Sequence, residues 1–239
     1  MIIIPARLAS MRFPQKMLAE VQGMPLIIRT ALNASKVDEV VVACDDGVIL
    51  ELCERHGVRA VLTDKSHSSG TDRCAQACRI LDLPKDEIVL NVQGDEPFLE
   101  KEVIEKLAEI TRGGEFMASL AKNITKEEAQ DPNLVKVLLN HANEAIYFSR
   151  ARIPFERDGG VQGGASGVQY LGHLGLYGFF NWSLQEFCAL EKSLLEEIEK
   201  LEQLRAIYHH RPIKMAVVET KSIGIDTRED LERAQNLQL

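Results

Sequence analysis

The chain has 239 residues, 45% of them hydrophobic, and a net charge of −8 at pH 7. That length suits one α/β domain with an insertion better than two domains, so residues 1–239 are expected to form a single domain. The acidic balance argues against nucleic acid as the main partner. With no apolar run near eighteen residues, no signal-peptide pattern and an odd count of five cysteines, a cytoplasmic chain with reduced thiols and no membrane insertion is expected.

Ile2, Ile3 and Ile4 form a strand pattern buried on both faces. It is expected to stop at Ile4, because Pro5 cannot donate to a sheet ladder. The loop that follows carries Arg7, Arg12 and Lys16 with no acidic residue among them. In an open α/β sheet, ligands bind where loops leave the carboxyl ends of strands. Three fixed cations there suit a polyanion such as a nucleoside triphosphate, or make an ordinary solvated basic loop. Pro25 opens a helix to Ala34, Glu39–Cys44 is a second buried strand, and a helix runs from Asp45 and Asp46 to about His56, ended by Gly57. Arg59–Leu62 is a strand, Asp72 to about Leu81 a helix, and Glu87–Val92 a strand that ends in the turn Gln93-Gly94-Asp95-Glu96-Pro97. This alternation specifies a parallel sheet with right-handed crossovers. Cys74 and Cys78 share a helix face and read as small core residues rather than metal ligands.

The second half departs from that rhythm. Phe116–Lys122, Val135–Asn140 and Ala145–Ser149 read as strands, the last two as a hairpin. Residues 154–169 are glycine-rich and polar, as in a mobile loop. Tyr170–Phe180 reads as a strand, Asn181–Leu190 as a helix, and Ser193 caps a long helix to about His209 with Leu194, Ile198, Leu201 and Leu204 as its apolar stripe. Ile213–Glu219 is a late strand, and Thr227 with Asp230 starts the last helix with a capping box. The expected fold is a three-layer α/β domain with an antiparallel insertion.

No G-x-G-x-x-G, P-loop or G-x-S-x-G pattern is present, so a phosphate site must be built in another way. His67–Arg73 offers serine, glycine and threonine groups at a helix start, a natural anion site, yet also an ordinary cap and turn. Arg73 is opposed there by the helix dipole, so it needs another reason to be present. Asp95, just past a buried strand and beside Gly94, is a typical position for a hard-cation ligand. Asp226 precedes the last helix, where an acid is also routine capping. Two such carboxylates together with phosphate oxygens would suit magnesium.

These segments carry a resemblance. IPARLASMRFPQK, SSGTDR, NVQGDEP, LVKVLLN, YFSRARIPFERD, HLGLYGF, the Leu201–Arg205 run and GIDTREDLERA occur in order over nearly the whole chain. Together they are similar to the 3-deoxy-manno-octulosonate cytidylyltransferases, the CMP-KDO synthetase family. Gln15 is a departure, standing where many relatives carry glycine. The resemblance implies a mostly parallel, Rossmann-like sheet of the nucleotide-sugar transferase type, with 132–180 as a sugar-side and dimerisation insert. It implies transfer of CMP from CTP to the anomeric 2-hydroxyl of KDO for lipopolysaccharide biosynthesis, with Mg²⁺ as cofactor and a homodimer as the assembly. The same chemistry on 8-amino-KDO or sialic acid, or a non-catalytic nucleotide-binding module, are the alternatives. Arg7, Lys16, Asp95 and Asp226 are then catalytic, and Asp95 and Asp226 hold the metal. Ala6, Ser10, Arg12, Ser69, Gly70, Arg73 and Gln93 join Arg7 and Lys16 on the nucleotide side. Arg157, His173, Tyr177, Glu202 and Gln203 fall on the sugar side, although Glu202 also reads as a solvated helix residue and Tyr177 as a core aromatic.

Overall fold

A computed structural model of the chain describes residues 1–9, 13–157, 169–222 and 224–236. In the first half, β1 (Ile2–Ala6) leads to a small ribbon of β2 (Glu20–Val21) and β3 (Met24–Pro25), then α1 (Leu26–Ala34), β4 (Val40–Cys44), α2 (Gly47–Arg55), β5 (Ala60–Leu62), α3 (Gly70–Ile80), β6 (Ile88–Asn91) and α4 (Lys101–Arg112). The second half contains β7 (Met117–Ile124), β8 (Lys136–Leu139), β9 (Ala145–Ser149), β10 (Tyr170–Phe180), α5 (Asn181–Ala189), α6 (Leu194–Glu199), α7 (Leu204–Tyr208), β11 (Ile213–Val217) and α8 (Arg228–Gln235).

The main sheet runs β11-β7-β10-β6-β1-β4-β5, and β8 and β9 extend from β10. Along that path β10 alone opposes its neighbours; the other strands share one direction. Alternate side chains of β1 divide the core into two layers. Ile2 and Ile4 face α1, α2 and α4 through Ile27, Ile28, Leu52 and Leu107. Ile3 faces α3, α5 and α7 through Cys74, Cys78, Phe187 and Leu204. The expected three layers follow, each fully buried isoleucine adding roughly 1.5–3 kcal/mol. Cys44, Cys53, Cys74 and Cys78 are all buried and unbridged. Burial pushes the thiols of Cys44 and Cys53 up, to about 11 and about 12. Among the described residues no helix is long and apolar enough to cross a membrane.

Three differences from the sequence reading have physical reasons. β1 does not stop at Ile4 but continues through Pro5 to Ala6, paired with β4. Met1 and Ile3 accept from the β6 side, so Pro5, two residues on, directs its nitrogen where β6 has already ended. No ladder bond is lost. Next, α4 is a helix the reading above does not contain. Its signal is the spacing of Val103, Ile104, Leu107 and Thr111, all buried on one face.

The single long helix expected after Ser193 is instead two short ones, α6 and α7. The break falls at Lys200, whose φ of 55° is left-handed. Leu194 and Ile198 are 67% and 69% exposed, whereas Leu201 and Leu204 are buried. What holds α6 in place is polar: Glu196 turns inward and meets Arg205 of α7, which donates at 2.9 Å from Nε and 2.6 Å from Nη2.

One close approach limits what β10 can carry. A Cβ on Gly178 would stand 1.9 Å from Thr111 Oγ1, which is itself fixed by donating to Leu107 O at 2.6 Å. Gly178→Ala is therefore expected to cost about 1–3 kcal/mol, the usual range for overpacking. Urea unfolding monitored by circular dichroism checks this; an unchanged midpoint would mean that α4 moves off β10 without cost.

Candidate active site

Lys16 lies just after Gln15, which adopts a left-handed conformation (φ 54°, ψ 30°). Glycine reaches that region without Cβ strain, so Gln15 holds a backbone conformation that glycine would adopt more readily. The Lys16 side chain is buried and its Nζ donates to Asp95 Oδ2 at 2.7 Å and to Asp226 Oδ1 at 2.9 Å. Burial disfavours its ammonium, but the Asp95 and Asp226 carboxylates outweigh this and hold its pKa above the ordinary value. One cation thus joins two acids that arrive from opposite ends of the chain.

Those acids are placed by close packing. Asp95 follows Gly94, whose carbonyl accepts from Thr30 Oγ1 at 2.9 Å. A Cβ on Gly94 would meet Met17 Sδ at 3.0 Å and Pro5 O at 3.3 Å, so the turn depends on glycine. Asp226 is anchored from the other side: Ile225 N donates to Asp95 O at 2.9 Å, and Asp226 N donates to Asp230 Oδ2 at 3.2 Å within the capping box of α8.

Asp95 and Asp226 form the wall between two cavities. The first, about 500 Å³, is lined by Ala6, Arg7, Lys16, Ser69, Gly70, Arg73 and Gln93 as well as the two acids, and also by His67 and Ser68. Expected positions Ser10 and Arg12 lie outside the described residues. Arg73 owes its place to the scaffold. It is buried and donates to Thr63 Oγ1 at 2.6 Å and Asp64 O at 3.3 Å, and it pairs with Asp45 at 3.4 Å. Asp45 in turn accepts from Leu8 N at 2.9 Å, so Arg73 helps fix the loop after β1.

The second cavity, about 380 Å³, is lined by His173, Tyr177, Glu202 and Gln203 together with Asp95 and Asp226. Glu96, Gly175, Lys200, Leu201, Gly224 and residues 133–135 complete its wall and were not singled out as site residues from sequence, although they lie beside or within the quoted motifs. Arg157 is exposed and lines neither cavity. The break at Lys200 is what turns Glu202 and Gln203 inward, and the bulge between Leu174 and Tyr177 adds two residues to β10, so His173 and Tyr177, four apart, remain on one face. The bulge also offers Gly175 O to Gln93 Nε2 at 3.1 Å, tying the two cavities together. Lys136, fully buried, donates to Asp131 O at 2.8 Å and Arg150 O at 2.7 Å and so braces the 133–135 wall.

Three of these side chains form one relay with Ser119 of β7. Tyr177 Oη donates to Gln203 Oε1 at 3.1 Å, Gln203 Nε2 faces His173 Nδ1 at 3.5 Å, and His173 Nε2 meets Ser119 Oγ at 2.8 Å. Ser119 spends its own proton on Leu176 O at 2.8 Å, so His173 is the donor to Ser119 and is neutral at Nδ1. Burial agrees, lowering the His173 pKa to about 3. The folded-state value lies below the unfolded one, so this group's stabilisation is complete above about pH 6.5 and is lost as pH falls toward 3. His173→Gln is expected to flatten the stability–pH slope between pH 4 and 6 by up to about 1.36 kcal/mol per unit. Guanidinium unfolding across that range is the check, and parallel slopes would place the titration elsewhere. Glu96 is shifted the opposite way, to about 7, by burial first and then by the adjacent Asp95.

Residues 1–216 match the family described as cytidylyltransferase. The chain is 55% identical over 235 residues to a 3-deoxy-manno-octulosonate cytidylyltransferase of Helicobacter acinonychis (strain Sheeba), covering 98% of this chain and 96% of that one. It is 56% identical over 240 residues to the protein of that name from Wolinella succinogenes, covering 98% and 97%. A solved CMP:2-keto-3-deoxy-manno-octonic acid synthetase complexed with CTP superposes with a TM-score of 0.90 at 35% identity, covering 98% of this chain and 95% of that one. With its sheet order, its paired acids and these similarities in hand, the chain belongs to the 3-deoxy-manno-octulosonate cytidylyltransferase family.

Proposed function

We propose that the chain transfers CMP from CTP to the anomeric 2-hydroxyl of KDO, releasing pyrophosphate, as a cytoplasmic step in lipopolysaccharide biosynthesis. The observation that carries this reading is Lys16 held between Asp95 and Asp226 on the wall shared by two cavities. The first cavity offers Arg7, Lys16 and the start of α3 to a triphosphate; the second offers hydroxyl, amide and carboxyl groups to a polyol. Ser10 and Arg12 are proposed to complete the nucleotide side and Arg157 to pair with the sugar carboxylate, for which its guanidinium is suited.

Two carboxylates fit Mg²⁺, which takes one or two protein acids plus substrate phosphates. Held by Asp95 and Asp226, it would lower the pKa of the attacking hydroxyl and neutralise phosphate charge. Arg7 and Lys16 offset charge that develops at the α-phosphate, and the relay through Gln203 and Tyr177 orients the sugar. Catalysis is then mainly positioning and charge stabilisation. With its pKa near 3, His173 is a poor base, and its role is to hold Gln203.

The test is a pyrophosphate-release assay across nucleotides and sugars. Release only with CTP, KDO and Mg²⁺ together is expected. Equal turnover of sialic acid would defeat the KDO assignment, and CTP binding without any pyrophosphate would mark a binding module. A homodimer is also proposed, supported by the exposed Ile146 on β9 and Leu194 and Ile198 on α6. Sedimentation equilibrium at one subunit mass would reject it.

A further inference from the structure

Thr71 lines neither cavity and is only 1% exposed, yet it stands between them. It follows Ser69 and Gly70, which line the first cavity. Its hydroxyl donates across 131 residues of sequence to Glu202 Oε1 at 2.6 Å, on the wall of the second. The direction of that bond is fixed from behind. Asn91, fully buried at the end of β6, donates from Nδ2 to Thr71 Oγ1 at 3.2 Å. A hydroxyl has one proton, and with its oxygen accepting from Asn91 that proton goes to Glu202. Among the described residues nothing donates to Glu202 Oε2, the other carboxyl oxygen, which is buried, so a donor is what this wall can still bind. Burial raises the Glu202 pKa while the Thr71 hydroxyl works against that rise.

We propose that Thr71 is a positioning residue for the sugar: oriented by Asn91, it fixes Glu202 so that Oε2 accepts a substrate hydroxyl. This rests on the reading of the second cavity as the sugar side. The bond also makes the start of α3 a common support, so the helix end at the nucleotide determines where the sugar acceptor stands.

The experiment is steady-state kinetics of Thr71→Val, Thr71→Ser and Glu202→Ala with KDO and CTP varied separately, each variant first checked by thermal melt. Thr71→Val is expected to raise the KM for KDO by roughly tenfold, the scale of one lost hydrogen bond to a charged group, with the KM for CTP within about twofold. Thr71→Ser keeps the hydroxyl and is expected to restore the KDO value. If Thr71→Val does not fold, Thr71→Ala carries the same test. In a double-mutant cycle, Thr71→Val added to Glu202→Ala is expected to raise the KM no further. Equal loss for both substrates, no change in either, or failure of serine to rescue would overturn the proposal. Should Glu202→Ala leave the KDO KM unchanged, the sugar-side reading itself fails and takes this proposal with it. If Glu202→Ala raises the KM and Thr71→Val does not, the sugar side stands and the positioning role is refuted.

Discussion

Asp95→Asn is expected to lower turnover by at least about a hundredfold to a thousandfold even at saturating magnesium, the range seen when one preorganised charge-stabilising group is removed. The amide keeps the shape of the acid but not its charge, so it is a poor ligand for a hard cation and a weaker partner for Lys16. The fold should survive, because Lys16 Nζ still donates to Asp226 at 2.9 Å and Gly94 still anchors the turn through Thr30. Pyrophosphate release measured over a magnesium titration, beside a thermal melt, separates these effects. Near-normal turnover at high magnesium would remove Asp95 from the metal site. A collapsed melting temperature would instead show that the Lys16 pairing is mainly structural.

A comparable effect on stability is expected at Glu196. Its carboxylate takes two hydrogen bonds from Arg205, whose side chain is only 3% exposed and lies 4.8 Å from the Phe187 ring. Glu196→Ala leaves that guanidinium buried without its counter-charge, a change that costs about 3–5 kcal/mol. In a chain of this length the melting temperature should fall by on the order of 10 °C. Replacing both residues with methionine should cost much less, since an apolar pair does not strand a charge. Because Arg205 lies two residues beyond Gln203, the single variant should also raise the KM for the sugar more than that for CTP. A single variant as stable as the double one would show that the guanidinium finds water.

Much of the fold was legible because its strands carry their own signals. Val40–Cys44 and the isoleucines of β1 are buried on both faces, and the helices between them have ordinary starts and stops. The second half resisted for a specific reason. An apolar-stripe reading assumes that burial follows hydrophobicity, but α6 buries Glu196 against Arg205 and leaves Leu194 and Ile198 exposed. The left-handed turn at Lys200 has no glycine to announce it. For the site, Asp95 could be suspected from its place after a strand. Its meeting with Asp226 could not, since 210 residues separate Asp226 from the lysine they share, and only the family resemblance linked them. The Ser119–His173–Gln203–Tyr177 relay and the Thr71–Glu202 bond were equally out of reach, since each joins elements whose neighbourhood is set by sheet order.

The ammonium of Lys16 against the carboxylates of Asp95 and Asp226 has an electrical meaning for ligand uptake. One positive charge facing two negative ones leaves this spot anionic, so a bare triphosphate is partly repelled by the acids proposed to serve its cation. A divalent ion reverses that balance, and a polyphosphate that draws on Lys16 frees both acids for the ion. If Asp95 and Asp226 hold the ion as proposed, nucleotide and divalent cation would strengthen each other's affinity by an equal factor, as thermodynamic reciprocity requires, and titrating either one alone would understate how tightly the pair is held.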